Sequence, residues 1–379
     1  MRVKASNLRR KPAETSAKTK AIYDHLRDLA YRRGPEVKLP TVKELCSTLT
    51  TSQATLNDVL GDLEAHNIIC RRKGSGIYVS PTIHRKRISV LLSYTYFRLP
   101  GAPPFWNMLY HMFTLEAERR SQLRELDYEF VFQSGGRDGT ISQDRLVAAA
   151  NRGEIQGIVE IATGASTLGH LLNRKFPVVG YALPGDWLVM HDTQELIRLG
   201  VQSLWEQGCR RIGYWSPRLS LSADDKITYD GNLHWLERTI EDMGGSLNPE
   251  DCLRVTDICD VDGDFGTYQE QGYRIAMKVF SGSSPIPDGI LIPDDMATSG
   301  VIAAAYKLGI RLGKDIRVAT GANFGSTVLH CYEEYLTLIE YSPERIVHAL
   351  CDMVETLVEG KVPDRQHVYI KPTIRNISG

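Results

Sequence analysis

Three stretches with helical spacing of apolar residues, then two short strand-like runs, open this chain. Ile22, Leu26, Leu29 and Ala30 fall on one stripe over residues 16–33, and Gly34-Pro35 ends it. Thr41-Val-Lys-Glu44 matches a capping box, in which the threonine hydroxyl accepts from the Glu44 amide while the glutamate reaches back. It predicts a second helix with Leu45 and Leu49 facing inward. Ser52 is a good N-cap for a third, whose apolar face is Leu56, Val59, Leu60 and Leu63. Ile68–Cys70 and Ile77–Val79 then read as strands joined by Arg71-Arg-Lys-Gly-Ser-Gly76, where the glycines permit the turn.

From Ile88 onward the period changes. Apolar runs at Ile88–Ser93, Tyr128–Gln133, Gly157–Ile161, Pro177–Tyr181, Arg211–Trp215, Gly289–Ile292, Ile316–Thr320 and Leu336–Glu340 predict strands. Between them Trp106–Leu123, Gln143–Arg152, Thr193–Gln207, Leu233–Met243, Thr298–Leu308 and Pro343–Glu359 predict helices. Such alternation means parallel sheets covered by helices. The span is long for a single doubly wound sheet, so two lobes with a cleft between them are expected. The layout read from these patterns is a tail at 1–15, a small module of helices and a hairpin at 16–80, a linker at 81–87 and an α/β body at 88–379.

Charge sharpens that division. The whole chain carries a formal charge of -1, yet residues 1–87 hold 18 Lys and Arg against 8 Asp and Glu, a surplus of +10 that leaves -11 for the rest. A basic module on an acidic body suits a polyanion, because neutralised phosphates release counterions. A solvated basic tail is the plainer reading of Arg2, Lys4, Arg9, Arg10 and Lys11, but cations also recur at Arg71–Lys73 and Arg85–Arg87. The start of the chain lacks a signal-peptide apolar stretch and no run is long enough to span a membrane, so a cytoplasmic location is expected. Seven cysteines without a C-x-x-C read as free thiols, not as disulfides or a zinc site.

The order helix, helix, recognition helix, basic hairpin is that of a winged helix-turn-helix. Residues 16–80 resemble the DNA-binding domain of the GntR family of bacterial regulators. Its L-P-S-x-R-x-L-A appears as Leu39-Pro-Thr-Val-Lys-Glu-Leu-Cys46, its S-R-x-T-V-R as Ser52-Gln-Ala-Thr-Leu-Asn57, and its G-x-G-x-x-V as Gly74-Ser-Gly-Ile-Tyr-Val79. The resemblance implies that Thr41, Lys43, Ser52, Gln53, Thr55 and Asn57, with Arg71, Arg72, Lys73, Gly74, Ser75 and Gly76 of the wing, meet double-stranded DNA. Where the family usually has arginines, this chain has Lys43, Gln53 and Asn57. Gln and Asn suit adenine, which predicts an operator directed less to guanine.

The body is similar to the effector-binding part of LacI/GalR repressors, itself like periplasmic sugar-binding proteins. Ser203–Trp215 follows the family's H-L-x-x-x-G-H-R-R-I-x-x-I, and Pro287–Gly300 its P-D-x-I-x-x-x-N-D-x-M-A-x-G. The implied layout is that of the arabinose-type regulators. Ligands of such sheets collect beyond the carboxyl ends of the strands. That selects Phe105 and Trp106, with Tyr94, after the first strand, Trp215 and Ser216 after the fifth, and Asp294 after Ile292. Asn232 and Asn323 stand where the family places an arginine and an acidic contact, with Lys226 nearby. The resemblance implies that Asp294 accepts hydrogen bonds from ligand hydroxyls while aromatics stack on the ring. Asp294 or Asp295 acting simply as a helix cap, Phe105 and Trp106 as core, and Tyr94 and Trp215 as core or rim stay open as alternatives.

Enzyme signatures are missing: there is no Walker A run, no G-x-S-x-G and no H-E-x-x-H. The acidic stretch Asp257–Asp264 lacks the glutamate spacing of an EF-hand loop. No cofactor, metal site or catalytic residue is expected. Together the two resemblances imply a transcriptional repressor that binds a small, carbohydrate-like effector and works as a homodimer on a pseudo-palindromic operator, and no membrane partner is expected. An enzyme or solute-binding protein acting on a small polar ligand is the alternative.

Overall fold

A computed structural model describes residues 17–93, 103–133, 140–163, 168, 172, 175–217, 223–254, 266–283 and 285–375. The chain forms two compact units, one of residues 1–87 with 123–127 (the head) and one of 88–122 with 128–379 (the body).

In the head, α1 (Ala17–Arg33), α2 (Val42–Thr48) and α3 (Gln53–Ala65) precede β1 (Ile69–Arg72) and β2 (Gly76–Val79). The Thr41–Glu44 capping box is present, and Ser52 caps α3 by accepting from the Thr55 amide. Leu26, Ala30, Leu45, Leu56, Val59, Leu60 and Leu63 are buried in one cluster with Ile69, Ile77 and Val79, and Leu49 packs at its margin. One boundary differs from the sequence expectation. Strand β1 runs on through Arg71 and Arg72, which pair with Ile77 and Gly76, so the turn is only Lys73–Ser75. The charged end of β1 has no apolar alternation to reveal it; backbone pairing alone extends it. Gly74 and Gly76 take φ of 73° and 116°, the region glycine adopts without penalty.

The body starts with β3 (Lys86–Leu92), α4 (Phe105–Leu123), β4 (Leu126–Phe132), α5 (Thr140–Asn151), β5 (Gly157–Ile161), β6 (Val178–Tyr181) and β7 (Leu188–His191). It continues with α6 (Thr193–Glu206), β8 (Ile212–Ser216), α7 (Ala223–Asp242), β9 (Cys252–Arg254), α8 (Tyr268–Ser281), β10 (Gly289–Ile292), α9 (Asp295–Leu308), β11 (Arg317–Asn323) and β12 (Leu336–Tyr341). Then come α10 (Pro343–Val358), β13 (His367–Ile370) and β14 (Thr373–Ile374). Two six-stranded sheets result, ordered β13-β7-β6-β5-β3-β4 in lobe 1 and β14-β12-β11-β10-β8-β9 in lobe 2. The expected two-lobed α/β body is therefore what folds. The chain passes between lobes at 191–193, 341–343 and 370–373.

One apolar cluster runs from Val90, Phe113 and Val354 through Tyr341 to Val201 and Leu291, and a second fills lobe 2 around Ile290, Val301 and Ile275. Strands β7, β9, β13 and β14 escape sequence reading because two to four residues carry too little alternation. Helix α8 also escapes it, although Thr267 and Glu270 form a capping box that marks its start. Among the described residues no helix is long and apolar enough to cross a membrane.

Candidate nucleic-acid interface and effector site

In the head, the amino end of α3 presents Gln53 and Asn57, both exposed and one helical turn apart. Lys43 is exposed on the first turn of α2. Thr41, Ser52 and Thr55 are engaged differently. The Thr41 hydroxyl and amide both donate to Glu44 at 2.8 Å, and Ser52 and Thr55 share a hydroxyl contact of 2.9 Å. These three fix the helix starts, while Lys43, Gln53 and Asn57 remain open to a partner.

The wing is already organised. Arg71 donates from Nε to Glu64 at 2.7 Å and from its backbone amide at 2.9 Å. That amide bond, with the Arg71 guanidinium, holds the Glu64 carboxyl below its usual range. The Arg72 guanidinium lies 4.5 Å from the Tyr78 ring centre and reaches Glu36 at 3.4 Å. Lys73, Gly74 and Ser75 form the exposed tip, and Ser75 meets the Tyr78 hydroxyl at 2.7 Å. Lys38 was not foreseen: it bridges to Tyr78 beside the wing, at a position where nothing in the sequence marks a strand.

In the body, β8, β10 and β11 are neighbours, so Ser216, Asp294 and Asn323 stand together along the carboxyl edge of the lobe 2 sheet. Asp294 caps α9, its Oδ1 accepting from the Ala297 amide at 2.8 Å. Burial, then the charge of Asp295, pushes its carboxyl up to about 7. Asp295 accepts from Ser326 Oγ at 2.6 Å. The Asn323 Oδ1 is buried and accepts no hydrogen bond from the described residues. Asn232, on α7, donates to the Tyr214 hydroxyl at 3.1 Å. On the lobe 1 side Trp106 is half-buried, and its ring meets Phe105 edge-on at 5.1 Å and Tyr181 at 6.2 Å.

Trp215 is a correction. It is 1% exposed, packs on Phe280 and donates Nε1 to the Asp251 carbonyl at 3.2 Å. Strand alternation turns it into the core on the α8 side, away from the edge where Ser216 stands. Phe105, 9% exposed, belongs to the core beneath Trp106. Tyr94, the Lys226 side chain and the Asp257–Asp264 stretch lie outside the described residues.

Residues 18–79 match the model for bacterial regulatory proteins of the gntR family, and residues 201–376 match that for a periplasmic binding protein-like domain. The chain is a regulator that joins these two parts. A comparison with curated proteins gave no match. Among solved structures, a LacI-family regulatory protein from Chloroflexus aggregans is 19% identical, with a TM-score of 0.59 over 76% of this chain and 96% of that one. The transcription regulator CcpA of Lactococcus lactis is 13% identical at 0.56, over 77% and 98%. A complex of the regulator CelR with cellobiose is 15% identical at 0.56, over 86% and 90%. The body shares their fold.

These parts identify the protein as a DNA-binding transcription regulator with an effector domain, not an enzyme. Within the gntR-type head, the departures at Gln53 and Asn57 fall on the exposed face of α3. Within the LacI-like body, the sequence reading missed Tyr181, His191 and Tyr341. Their signal was weak, because β6 and β7 are four residues each and Tyr341 ends a strand.

It also missed Glu160, a fully buried carboxyl next to the carboxyl end of β5. Glu160 accepts from the Leu168 amide at 3.1 Å and from Thr163 Oγ1 at 3.3 Å, tying down the chain beyond the strand. Burial raises it to about 7 against those hydrogen bonds. A raised acid contributes stability in full below its unfolded range near 4.5, and that contribution fades as pH climbs through 7. Glu160→Gln keeps an acceptor for Leu168 and cannot ionise. Denaturant midpoints should coincide for variant and parent near pH 4.5, with the variant ahead by ~1–3 kcal/mol at pH 8. Parallel curves at every pH would refute a neutral Glu160.

Proposed function

We propose that this regulator is a cytoplasmic repressor, a homodimer on a pseudo-palindromic operator, released when a small carbohydrate-like metabolite binds between the lobes of its body. The observation that carries the reading is the shared carboxyl edge of Ser216, Asp294 and Asn323, where a buried amide oxygen still has an open acceptor position. Such an oxygen is costly unless a donor reaches it, and a ligand hydroxyl is a suitable donor. Half-buried Trp106, at the start of α4, supplies a flat apolar surface of the kind that stacks on sugar rings. The cellobiose held by CelR makes that disaccharide a natural member of a test panel.

On the DNA side, Gln53 and Asn57 support readout of adenine edges, and the basic surplus supports phosphate contact. Two-fold symmetry in the protein makes two half-sites natural. Effector that favours one closure of the lobes shifts the equilibrium between operator-binding and released states, and linkage requires operator to weaken effector by the same factor.

The test uses the full chain. Selection from random duplexes should recover a palindrome with adenine at the positions facing Gln53 and Asn57. Affinity for it should fall by roughly 10³-fold or more between 50 and 200 mM salt. The double variant Gln53→Ala, Asn57→Ala should bind all sequences alike while keeping that salt slope. A thermal-shift panel of sugars, sugar acids and cellobiose should find a stabilising compound that also dissociates the selected DNA. Guanine at those positions would end the readout assignment; a stabilising compound whose affinity is identical with and without DNA would end the release mechanism.

A further inference from the structure

Two of the three chain crossings of the body are preceded by an aromatic ring, and the two rings lie on each other. His191 ends β7 in lobe 1, immediately before Asp192 caps the first helix of lobe 2. Tyr341 ends β12 in lobe 2, immediately before Ser342 caps α10, which packs on β5, β6 and β7 of lobe 1. The ring centres are 3.9 Å apart and the planes differ by 10°. Each ring is also tied by hydrogen bonds. Tyr341 donates its hydroxyl to the Asp192 carbonyl at 3.0 Å, and Tyr181 meets His191 Nε2 at 2.9 Å. Burial lowers His191 to about 4, so the imidazole in the stack is neutral at physiological pH.

We infer that the His191–Tyr341 stack is the hinge pin of the body, and that these two are positioning residues which set how far the lobes open. A lobe rotation must be absorbed by backbone torsions in the few residues of each crossing. If the crossings flexed independently, the lobes could twist and slide as well as close. A flat stack between them lets one crossing turn over the other while resisting separation, which leaves closure as the soft motion. The stack is continuous with the cleft. Phe105 meets His191 at 5.9 Å and Tyr181 at 6.1 Å, and Trp106 meets both Phe105 and Tyr181. A ligand seated against Trp106 would therefore bear on the hinge. That consequence rests on the effector reading above; the hinge itself does not.

The experiment needs neither ligand nor DNA. Fluorophores introduced through unnatural amino acids at Glu118 on α4 and Lys314 beyond α9, both exposed, report lobe separation in the full chain. Labelled protein is diluted into unlabelled protein and read molecule by molecule. The parent should give one narrow distribution of transfer efficiency. His191→Leu and Tyr341→Leu fill similar space without a flat face, and each should at least double the width. His191→Phe keeps the stack and loses the bond to Tyr181, and Tyr341→Phe keeps it and loses the bond to Asp192; both should remain narrow. Unchanged widths in the leucine variants would overturn the inference. So would a phenylalanine variant as broad as its leucine counterpart, since the hydrogen bond would then be what holds the crossings. Should the leucine variants not fold, broad distributions in both phenylalanine variants overturn it and narrow ones uphold it.

Discussion

Replacing Gly300 by alanine should lower the thermal midpoint of the body by about 6–12 °C, the equivalent of roughly 3 kcal/mol. Helices α8 and α9 cross with backbone against backbone. A Cβ on Gly300 would lie 1.9 Å from the Gln269 carbonyl oxygen and 2.7 Å from the Tyr273 amide, and one on Gly272 would lie 2.0 Å from the Ala297 carbonyl oxygen. None of these is a side chain that can swing aside. The helices must separate, and the surrounding contacts of Ile275, Val301 and Ile302 separate with them. The bond from Lys307 Nζ to the Tyr273 hydroxyl, 2.9 Å across the same pair, would stretch too. The strand ends carrying Asp294 lead directly into α9, so the damage reaches the proposed effector site. Gly231 supplies the contrast. It sits exposed in α7 with nothing within 4 Å of an added Cβ, and Gly231→Ala should stabilise by about 0.5–1 kcal/mol through helix propensity. Calorimetric scans of the two variants side by side test the argument; a Gly300→Ala midpoint within 2 °C of the parent would refute it.

Arg120→Ala should cost about 3–5 kcal/mol at neutral pH. Arg120 is 4% exposed on α4 and binds Glu116 at 2.6 Å, Asp352 at 2.7 Å and Glu355 at 3.0 Å, joining α4 to α10. Glu355 is itself 2% exposed and accepts the Tyr128 hydroxyl. Removing the guanidinium takes the arginine from buried Glu355 and leaves Glu116 with Arg119 alone, and the loss is the desolvation of these carboxylates far more than the net worth of the pairs. The pH dependence follows from the same groups. In the parent, hydrogen bonds from Arg119 and then Arg120 hold Glu116 down to about 2, against burial. A depressed acid contributes stability above its unfolded range near 4.5, and that contribution is lost as pH falls toward 2. In the variant Glu116 keeps Arg119 alone and is held down less, so the deficit relative to the parent should shrink as pH falls from 7 toward 2. Denaturant midpoints across that range read it directly. A constant deficit would mean that lost packing, not stranded charge, is responsible.

Much of the head could be read from residues alone. A winged helix is built from contacts close in sequence: the Thr41–Glu44 box, the Ser52 cap and the stripe from Leu56 to Leu63 each lie within a few helical turns. The body was legible as two lobes because apolar runs and amphipathic stretches alternate over most of its length. Its candidate site was legible only in part. Asp294 was singled out as the residue beyond a strong apolar strand and Asn323 through the family resemblance alone, whereas the strand pattern did not tell whether Trp215 lies at the edge or in the core. Neighbouring positions on one strand point to opposite faces, and a one-residue difference decides between cleft and core.

By itself the sequence determined the order of domains, the class of each and the separation of positive from negative charge, since periodicity, caps and net charge are local or additive quantities. Tertiary structure decided which arginines are already held by Glu64 and Tyr78, which acids are raised by burial, and which rings meet. His191 and Tyr341 are 150 positions apart and carry no shared pattern. Only the return of the chain through the same crossing brings one ring onto the other, and pairing at such separation is a property of the folded topology.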